Sequence, residues 1–159
     1  MSDHAGNGAS MSYDDLMEIA KKAVASACEM ESSEVNIDED GEIGFGVSGS
    51  AVLFIKPFAE PDEPIGYRLR AQLLDVVEDK PLVYTTINEV NQDLGVGVIF
   101  YNEETIWFVH RLFVNSPTAQ WLEEIFTIIT DIIEDYDDKL KSRLGGERFL
   151  EKTDDEIEV

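Results

Sequence analysis

Apolar residues recur at helical spacing near both ends of the chain, and these patterns predict a first and a last helix. The first begins at Ser12, where Asp15 can complete a capping box, and its stripe is narrow and rich in alanine. The last begins at Ser116 and Pro117 and ends at Gly145. Its stripe is wider than one sheet contact usually needs. The stripe consists of Leu122, Ile125, Phe126, Ile129, Ile132, Ile133, Tyr136 and Leu140, with Trp121 and Ile128 beside them.

Residues 81–94 are ambiguous, because their Val, Tyr, Thr and Ile residues favour a strand by propensity. Their apolar positions nevertheless follow one helical face. The residues on that face are Val83, Ile87, Val90 and Leu94. Pro81 suits a first helical turn, and Gly95 suits the position past a helix end. We predict a helix here.

Alternation of apolar and polar residues predicts strands between these helices. Val35 and Ile37 alternate with polar residues, as do the apolar residues of 43–47, so two short strands joined by an acidic turn are expected. Residues 49–58 form a continuous apolar run that predicts a strand with a central place in the sheet. Alternation in residues 67–77 predicts a further strand with one apolar face. This face carries Tyr67, Leu69, Ala71 and Leu73, opposite Arg68, Arg70 and Gln72.

Residues 96–114 predict the clearest hairpin, with two β-rich runs on either side of residues 102–104. Its second strand is apolar on both faces. One face carries Trp107, Val109, Arg111 and Phe113, and the other carries Ile106, Phe108, His110 and Leu112. We predict that helices cover the face of Ile106 and Phe108, which is the more continuously aliphatic. The four residues of the Trp107 face are then the predicted partner-binding site, since Trp and Arg are common interface anchors.

The acidic turn raises the possibility of a calcium site. Asn36, Asp38 and Asp40 at alternate positions, followed by Gly41, match the first half of an EF-hand loop. The twelfth loop position should carry a bidentate acid, but it is Val47, and strand periodicity follows instead of a helix. We therefore interpret this segment as a hairpin turn, with a weak cation contact as the alternative.

The 159 residues are enough for one compact domain, which we expect to occupy residues 12–146. Residues 1–11 have the composition of a disordered leader without a secretory signal, and residues 147–159 that of an acidic flexible tail. No apolar run approaches the ~20 residues that span a bilayer. Cys28 is the only cysteine, so no internal disulfide is possible and the reducing cytoplasm is the expected location.

The net charge of the chain is −22, from 34 acidic and 12 basic residues. Phosphate binding needs a basic surface, so we expect no nucleic-acid partner and no binding to anionic membranes. Such a charge would steer a basic partner towards the chain. Adaptation to a high-salt habitat is the alternative explanation of the acidic charge, and composition fits a basic partner and a high-salt habitat equally well.

No P-loop, GxSxG or paired-histidine metal motif occurs in the chain. The candidates for chemistry are His110 and an acidic cluster on the last helix. This cluster consists of Asp131, Glu134, Asp135, Asp137 and Asp138. A structural histidine and a solvated charged face are the favoured interpretations, so we expect no enzyme, no cofactor and no metal. The alternative is a small enzyme or divalent-metal-binding protein that uses His110 and these acids.

Several stretches of the sequence resemble the YbjN-like proteins of bacteria, which look like the type III secretion chaperone fold. The stretches are 49–58, 67–79, 87–114 and the long acidic helix before Gly145, and together the resemblance covers roughly residues 13–148. Its most specific piece is the Asn-x-x-Asn motif of Asn88 and Asn91. The resemblance implies an α+β fold in the order α-β-β-β-α-β-β-α, with helices packed on a mostly antiparallel five-stranded sheet.

The resemblance also implies a function. Secretion chaperones of this fold are acidic and usually dimeric, so we expect a non-enzymatic, chaperone-like homodimer that binds a peptide segment of another protein. An extended, partly apolar segment would bind on the sheet or along its edge. The same apolar surfaces could instead serve only the homodimer interface.

Overall fold

The computed structural model describes residues 11–46, 51–75 and 78–150. These residues form three α-helices and five strands in the predicted α-β-β-β-α-β-β-α order, so the predicted α+β fold class is confirmed. The helices are α1 (Tyr13–Ala27), α2 (Lys80–Asp93) and α3 (Ala119–Leu144). The strands are β1 (Ile43–Gly46), β2 (Val52–Phe58), β3 (Gly66–Asp75), β4 (Val98–Asn102) and β5 (Thr105–Phe113).

The five strands form one antiparallel sheet in the order β1-β2-β3-β5-β4. β3 therefore lies in the middle, and β2, for which a central place was predicted, lies second. A register shift between Gln72 and Leu74 interrupts the pairing of β3 with β5. Leu73 and Leu74 are consequently both buried, although neighbouring residues of a regular strand point to opposite faces.

All three helices pack on one face of the sheet. The Tyr67 hydroxyl on β3 donates to the Leu16 carbonyl of α1 at 2.8 Å. The rings of Phe45 on β1 and Phe126 on α3 have centroids 4.6 Å apart. Phe108 on β5 is 1% exposed, and the adjacent Ile106 is fully buried. The prediction that helices cover this face of β5 is therefore confirmed.

The helix boundaries agree with the sequence signals at α1 and α2 but not at α3. The Ser12 hydroxyl accepts from the Asp15 amide at 3.2 Å and completes the predicted capping box. The helix predicted for residues 81–94 forms as Lys80–Asp93, with Leu94 as its C-cap, because its apolar face is buried and burial outweighs the β propensity of these residues. The predicted start of α3 at Ser116 is wrong. Thr118 is the N-cap, and its hydroxyl accepts from the Trp121 amide at 3.1 Å.

The strand predicted at Val35 and Ile37 does not form. A turn joins this segment to β1. The Asp38 amide donates to the Glu42 carbonyl at 2.9 Å, and the Gly41 amide donates to the Asp38 carbonyl at 3.1 Å. The Asp38 carboxylate accepts from the Asp40 and Glu42 amides at 3.0 and 2.8 Å. These bonds close the turn too tightly for the ladder to continue. Val47, the twelfth position of the suspected calcium loop, lies outside the described residues.

Past α3 the chain returns to the sheet. The main chains of Glu147 and Asp75 exchange two hydrogen bonds, of 2.8 and 3.0 Å, at the end of β3. Residues 147–150, which the sequence places in the flexible tail, thus lie against the domain. Most of the expected leader (1–10) and the rest of the tail (151–159) lie outside the described residues. None of the described helices has the length and apolarity needed to cross a membrane.

Candidate functional site

None of the described helices covers the sheet surface on the side away from α1, α2 and α3, and we call this surface the open face. Strand register brings its side chains side by side, because Phe54, Arg70, Val109 and Val98 are consecutive partners across four strands. Its large apolar side chains are Phe54, Phe58, Val98, Phe100, Trp107, Val109 and Phe113. They are all partly or largely exposed, with Phe113 at 64% and Phe100 at 40%.

The structure brings the four predicted partner-binding residues together on the open face. Trp107 and Val109 are half-buried, whereas Arg111 and Phe113 are exposed. The sequence did not indicate that Phe54 and Phe58 of β2 extend this surface, because a continuous apolar run does not show which side chains face the helices.

Arginine side chains lie over the aromatic rings of the open face. Cζ of Arg70 is 5.0 Å from the Phe54 ring centroid and 4.9 Å from that of Trp107. Cζ of Arg111 is 4.5 Å from the Phe58 ring centroid, and the Phe58 and Phe113 rings meet edge to face at 5.8 Å. Cation–π contacts of this kind stabilise both partners. The open face therefore offers apolar rings and hydrogen-bond donors to the same ligand.

Glu42 is an unpredicted part of the site. Its side chain is 2% exposed, and its carboxylate accepts from Arg68 Nη2 at 2.6 Å and from Arg70 Nε at 3.0 Å. Burial raises the pKa of Glu42, but the hydrogen bonds and positive charges of Arg70 and Arg68 together outweigh burial and lower it. Glu42 is therefore ionised at neutral pH and holds both guanidiniums in place. Nothing in its acidic sequence neighbourhood distinguishes it from the exposed acids beside it.

The open face is cationic, although the chain is strongly acidic. Of the 12 basic residues in the chain, four project from its strands, namely Lys56, Arg68, Arg70 and Arg111. Two shallow depressions lie between these side chains. One of about 250 Å³ is lined by Lys56, Pro57, Phe58, Arg68 and Arg111, and one of about 260 Å³ by Arg68, Arg70, Phe100, Asn102, Trp107 and Val109. Both suit an elongated ligand with apolar and anionic groups.

The two asparagines of the Asn-x-x-Asn motif have different environments. Asn91 Nδ2 donates to the Ile99 carbonyl at 2.8 Å, and Asn91 Oδ1 accepts from the Ile99 amide at 2.9 Å. This pair of bonds fastens α2 to β4. It also occupies the main-chain groups of Ile99 that an added strand would need at this edge of the sheet. Asn88 is exposed.

His110 and the acids of α3 do not come together. His110 projects towards the helix side of the sheet, and burial lowers its pKa, so it is neutral at pH 7. Asp137 is 4% exposed and lies 2.7 Å from Arg148 Nε, while Asp138 contacts the same guanidinium. Within residues 11–46, 51–75 and 78–150, no three His, Cys, Asp or Glu side chains are grouped so that they could hold a metal ion.

Comparison with known protein families identifies the family of the chain. The family model described as T3SS (YopN, CesT) and YbjN peptide-binding chaperone 1 matches residues 14–152. This range contains all three helices and all five strands. No curated protein matches the chain.

Proposed function

We propose that this chain, which belongs to the family of T3SS (YopN, CesT) and YbjN peptide-binding chaperones, captures an extended segment of a partner protein on its open face. The single observation that carries this function is the row of aromatic and arginine side chains on β2, β3 and β5, over which no described helix lies. Contiguous exposed apolar surface of this kind commonly marks an interaction site. The chain carries out no chemical step in this function.

The bound segment would lie over the two depressions. Its apolar side chains would pack between the rings of Trp107, Phe58 and Phe113, and the guanidiniums would bind its carbonyl or carboxylate oxygens. Arg68 and Arg70 are held in place by Glu42 before binding. Less side-chain entropy is therefore lost on binding than with free arginines. Capture by strand addition along β4 is disfavoured, because Asn91 occupies the main chain of Ile99.

We also propose that the chain forms a homodimer through α2 and β4. Leu82 is 39% exposed and Tyr84 55%, and the Tyr84 ring stacks edge to face on Tyr101 at 5.8 Å. The wide stripe of α3 offers less, because most of it is used in the core. Ile128, at 51%, is its exposed large side chain.

Light scattering tests the dimer. We expect a dimer at micromolar concentration and a monomer for Tyr84→Glu, whereas the matched change Ile128→Glu should leave the dimer intact. A stable contact buries on the order of 800 Å² per subunit, so a monomer at ~100 μM would rule out a symmetric interface of standard size.

We further infer a cytoplasmic protein whose partner is a protein and not a nucleic acid. The net charge of −22 opposes long-range attraction to phosphate backbones. The lone Cys28 is compatible with a reducing compartment, since burial raises its pKa and keeps the thiol protonated.

Peptide selection followed by NMR tests the binding function. A peptide is selected from a displayed random library on the immobilised full chain, and its synthetic form is titrated into ¹⁵N-labelled protein. We expect shifts at the Trp107 indole, Arg111 and Phe113, with the Ile128 amide on α3 unchanged. Failure to select any peptide, or shifts that map to the helices, would refute binding at the open face.

A further inference from the structure

The charge of the open face is opposite to that of the chain as a whole. Lys56 and Arg111 line the same depression, and neither has a carboxylate within ion-pair distance among the described residues. Lys56 Nζ donates instead to the Asp40 carbonyl at 2.6 Å, and Arg111 lies over the Phe58 ring. The chain has 34 acidic residues and 12 basic ones, so most basic side chains are expected to have a carboxylate nearby, and these two among the described residues do not. The two positive charges make this depression suited to an anionic group.

The described chain leads to this face at its C-terminal end. Glu147 pairs with Asp75 at the end of β3, and Arg148 is held by Asp137 at 2.7 Å. Phe149 then packs edge to face on Phe54, with ring centroids 6.1 Å apart. Phe54 also contacts Arg70, so Phe149 lies at the margin of the same aromatic and arginine cluster. The segment that follows therefore starts beside the open face.

The composition and length of that segment fit the face. Residues 151–159 contain five acids and one lysine, together with Ile157 and Val159. Nine extended residues reach up to roughly 30 Å. Neighbouring strands are about 4.8 Å apart, so Arg111 on β5 lies only two strands, or about 10 Å, across the sheet from Phe54 on β2. The segment can thus reach both depressions.

We propose that residues 151–159 bind the open face of their own chain, with their carboxylates at Lys56 and Arg111 and their apolar side chains on the rings. This occupant is an acidic peptide with apolar residues. The consequence for partner binding rests on the function proposed above: a partner segment must displace the chain's own segment. The apparent dissociation constant for the partner equals the intrinsic one divided by the fraction of molecules whose face is free, so an occupancy of nine-tenths weakens binding about tenfold.

Paramagnetic NMR on the full chain tests the contact. A nitroxide is attached at Thr153→Cys in a Cys28→Ala background, and melting curves check that the variant is folded. We expect the label to broaden the Trp107 indole and Arg111 resonances and to leave the Ile128 amide sharp. At about 20 mM salt the Debye length is roughly 20 Å, and at about 0.5 M it is roughly 4 Å, so broadening should fade at high salt.

A charge-neutral variant is the matched control. It keeps the length and apolar residues of the segment and carries Glu151→Gln, Asp154→Asn, Asp155→Asn, Glu156→Gln and Glu158→Gln. We expect it to show no broadening and to bind the library-selected peptide about tenfold more tightly than the native chain.

Three results would overturn the inference. They are absence of broadening in the native segment, broadening that neither salt nor charge removal relieves, and broadening seen only when labelled and ¹⁵N-labelled copies are mixed. The last would mean that a second copy donates the segment. If the selected peptide still binds the open face in any of these cases, only the inference about residues 151–159 fails, and the proposed function stands.

Discussion

Trp107 and Phe108 are adjacent aromatic residues on β5 that point to opposite faces of the sheet, so their truncations separate binding from folding. Phe108 is 1% exposed. Gly97 lies so close to the Phe108 ring that a Cβ atom at position 97 would be 2.5 Å from the ring carbons Cε2 and Cζ. Phe108→Ala leaves a cavity that this tight packing cannot fill, and we expect a loss of about 3–5 kcal/mol in unfolding free energy. That is a large part of the ~5–15 kcal/mol available to a domain.

Trp107→Ala should affect stability much less. The half-buried ring loses its contact with Arg70, 4.9 Å away, which is worth about 0.5–1 kcal/mol at an exposed site. With some loss of apolar burial, we expect a cost of about 1–2 kcal/mol and a folded domain. Partner binding should instead weaken by about 2 kcal/mol or more, since a central aromatic anchor is removed. That corresponds to a dissociation constant roughly 30-fold higher.

Urea denaturation of both variants, followed by circular dichroism, gives the two stability changes, and calorimetry with the selected peptide gives the binding change. Binding is measured at a temperature where each variant is folded. If Trp107→Ala unfolds the domain and Phe108→Ala does not, the faces are reversed. Unchanged peptide affinity in a folded Trp107→Ala variant would refute the role of Trp107 as an anchor.

The remaining predictions concern the residues that support the open face and the acidic turn. Glu42→Gln should cost about 1–3 kcal/mol, since it removes the charged acceptor of two guanidiniums. Folding lowers the pKa of this carboxyl, so its contribution to the free energy of unfolding is fully present above the usual pKa of 4.5 and is lost as pH falls through the lower folded value. Denaturation curves of the variant and the native chain should therefore converge at that low pH. Asn91→Ala should cost about 1–3 kcal/mol by leaving the β4 main chain unpaired, whereas the exposed control Asn88→Ala should stay within about 0.5 kcal/mol. Equal losses would contradict the assigned contact. Asp38→Asn with Asp40→Asn should leave the melting temperature unchanged, because an asparagine side-chain oxygen also accepts the turn hydrogen bonds. A saturable calcium-dependent rise in melting temperature that these changes abolish would reveal a metal site instead.

Much of the fold could be predicted because its signals are local. The capping box at Ser12, the helical stripe of residues 81–94 and the alternation along β5 each lie within a few residues of sequence. The errors occurred where local signals compete. Ser116–Pro117 and Thr118 both offer a helix start, and Thr118 is the one that caps α3. Val35 and Ile37 alternate like a strand, but the turn after them leaves no ladder to join.

The candidate site was predictable only in part. Alternation along β5 placed Trp107, Val109, Arg111 and Phe113 on one face, and the aliphatic character of the other face indicated which one the helices cover. The role of Asn91 was not predictable, since its partner Ile99 lies on another element and the contact is between a side chain and the main chain.

The sequence by itself determined the order of the three helices and five strands and, along β5, which residues share a face, because both follow from the order of apolar and polar residues. It also determined a net charge of −22, which predicted attraction to a basic partner. Only the tertiary structure decided where the charges lie. Glu42 meets Arg68 and Arg70 across 26 and 28 residues of chain, and strand register brings Arg111 and Lys56 to the same depression. Local charge depends on such long-range pairings, so an acidic chain can present a cationic binding face.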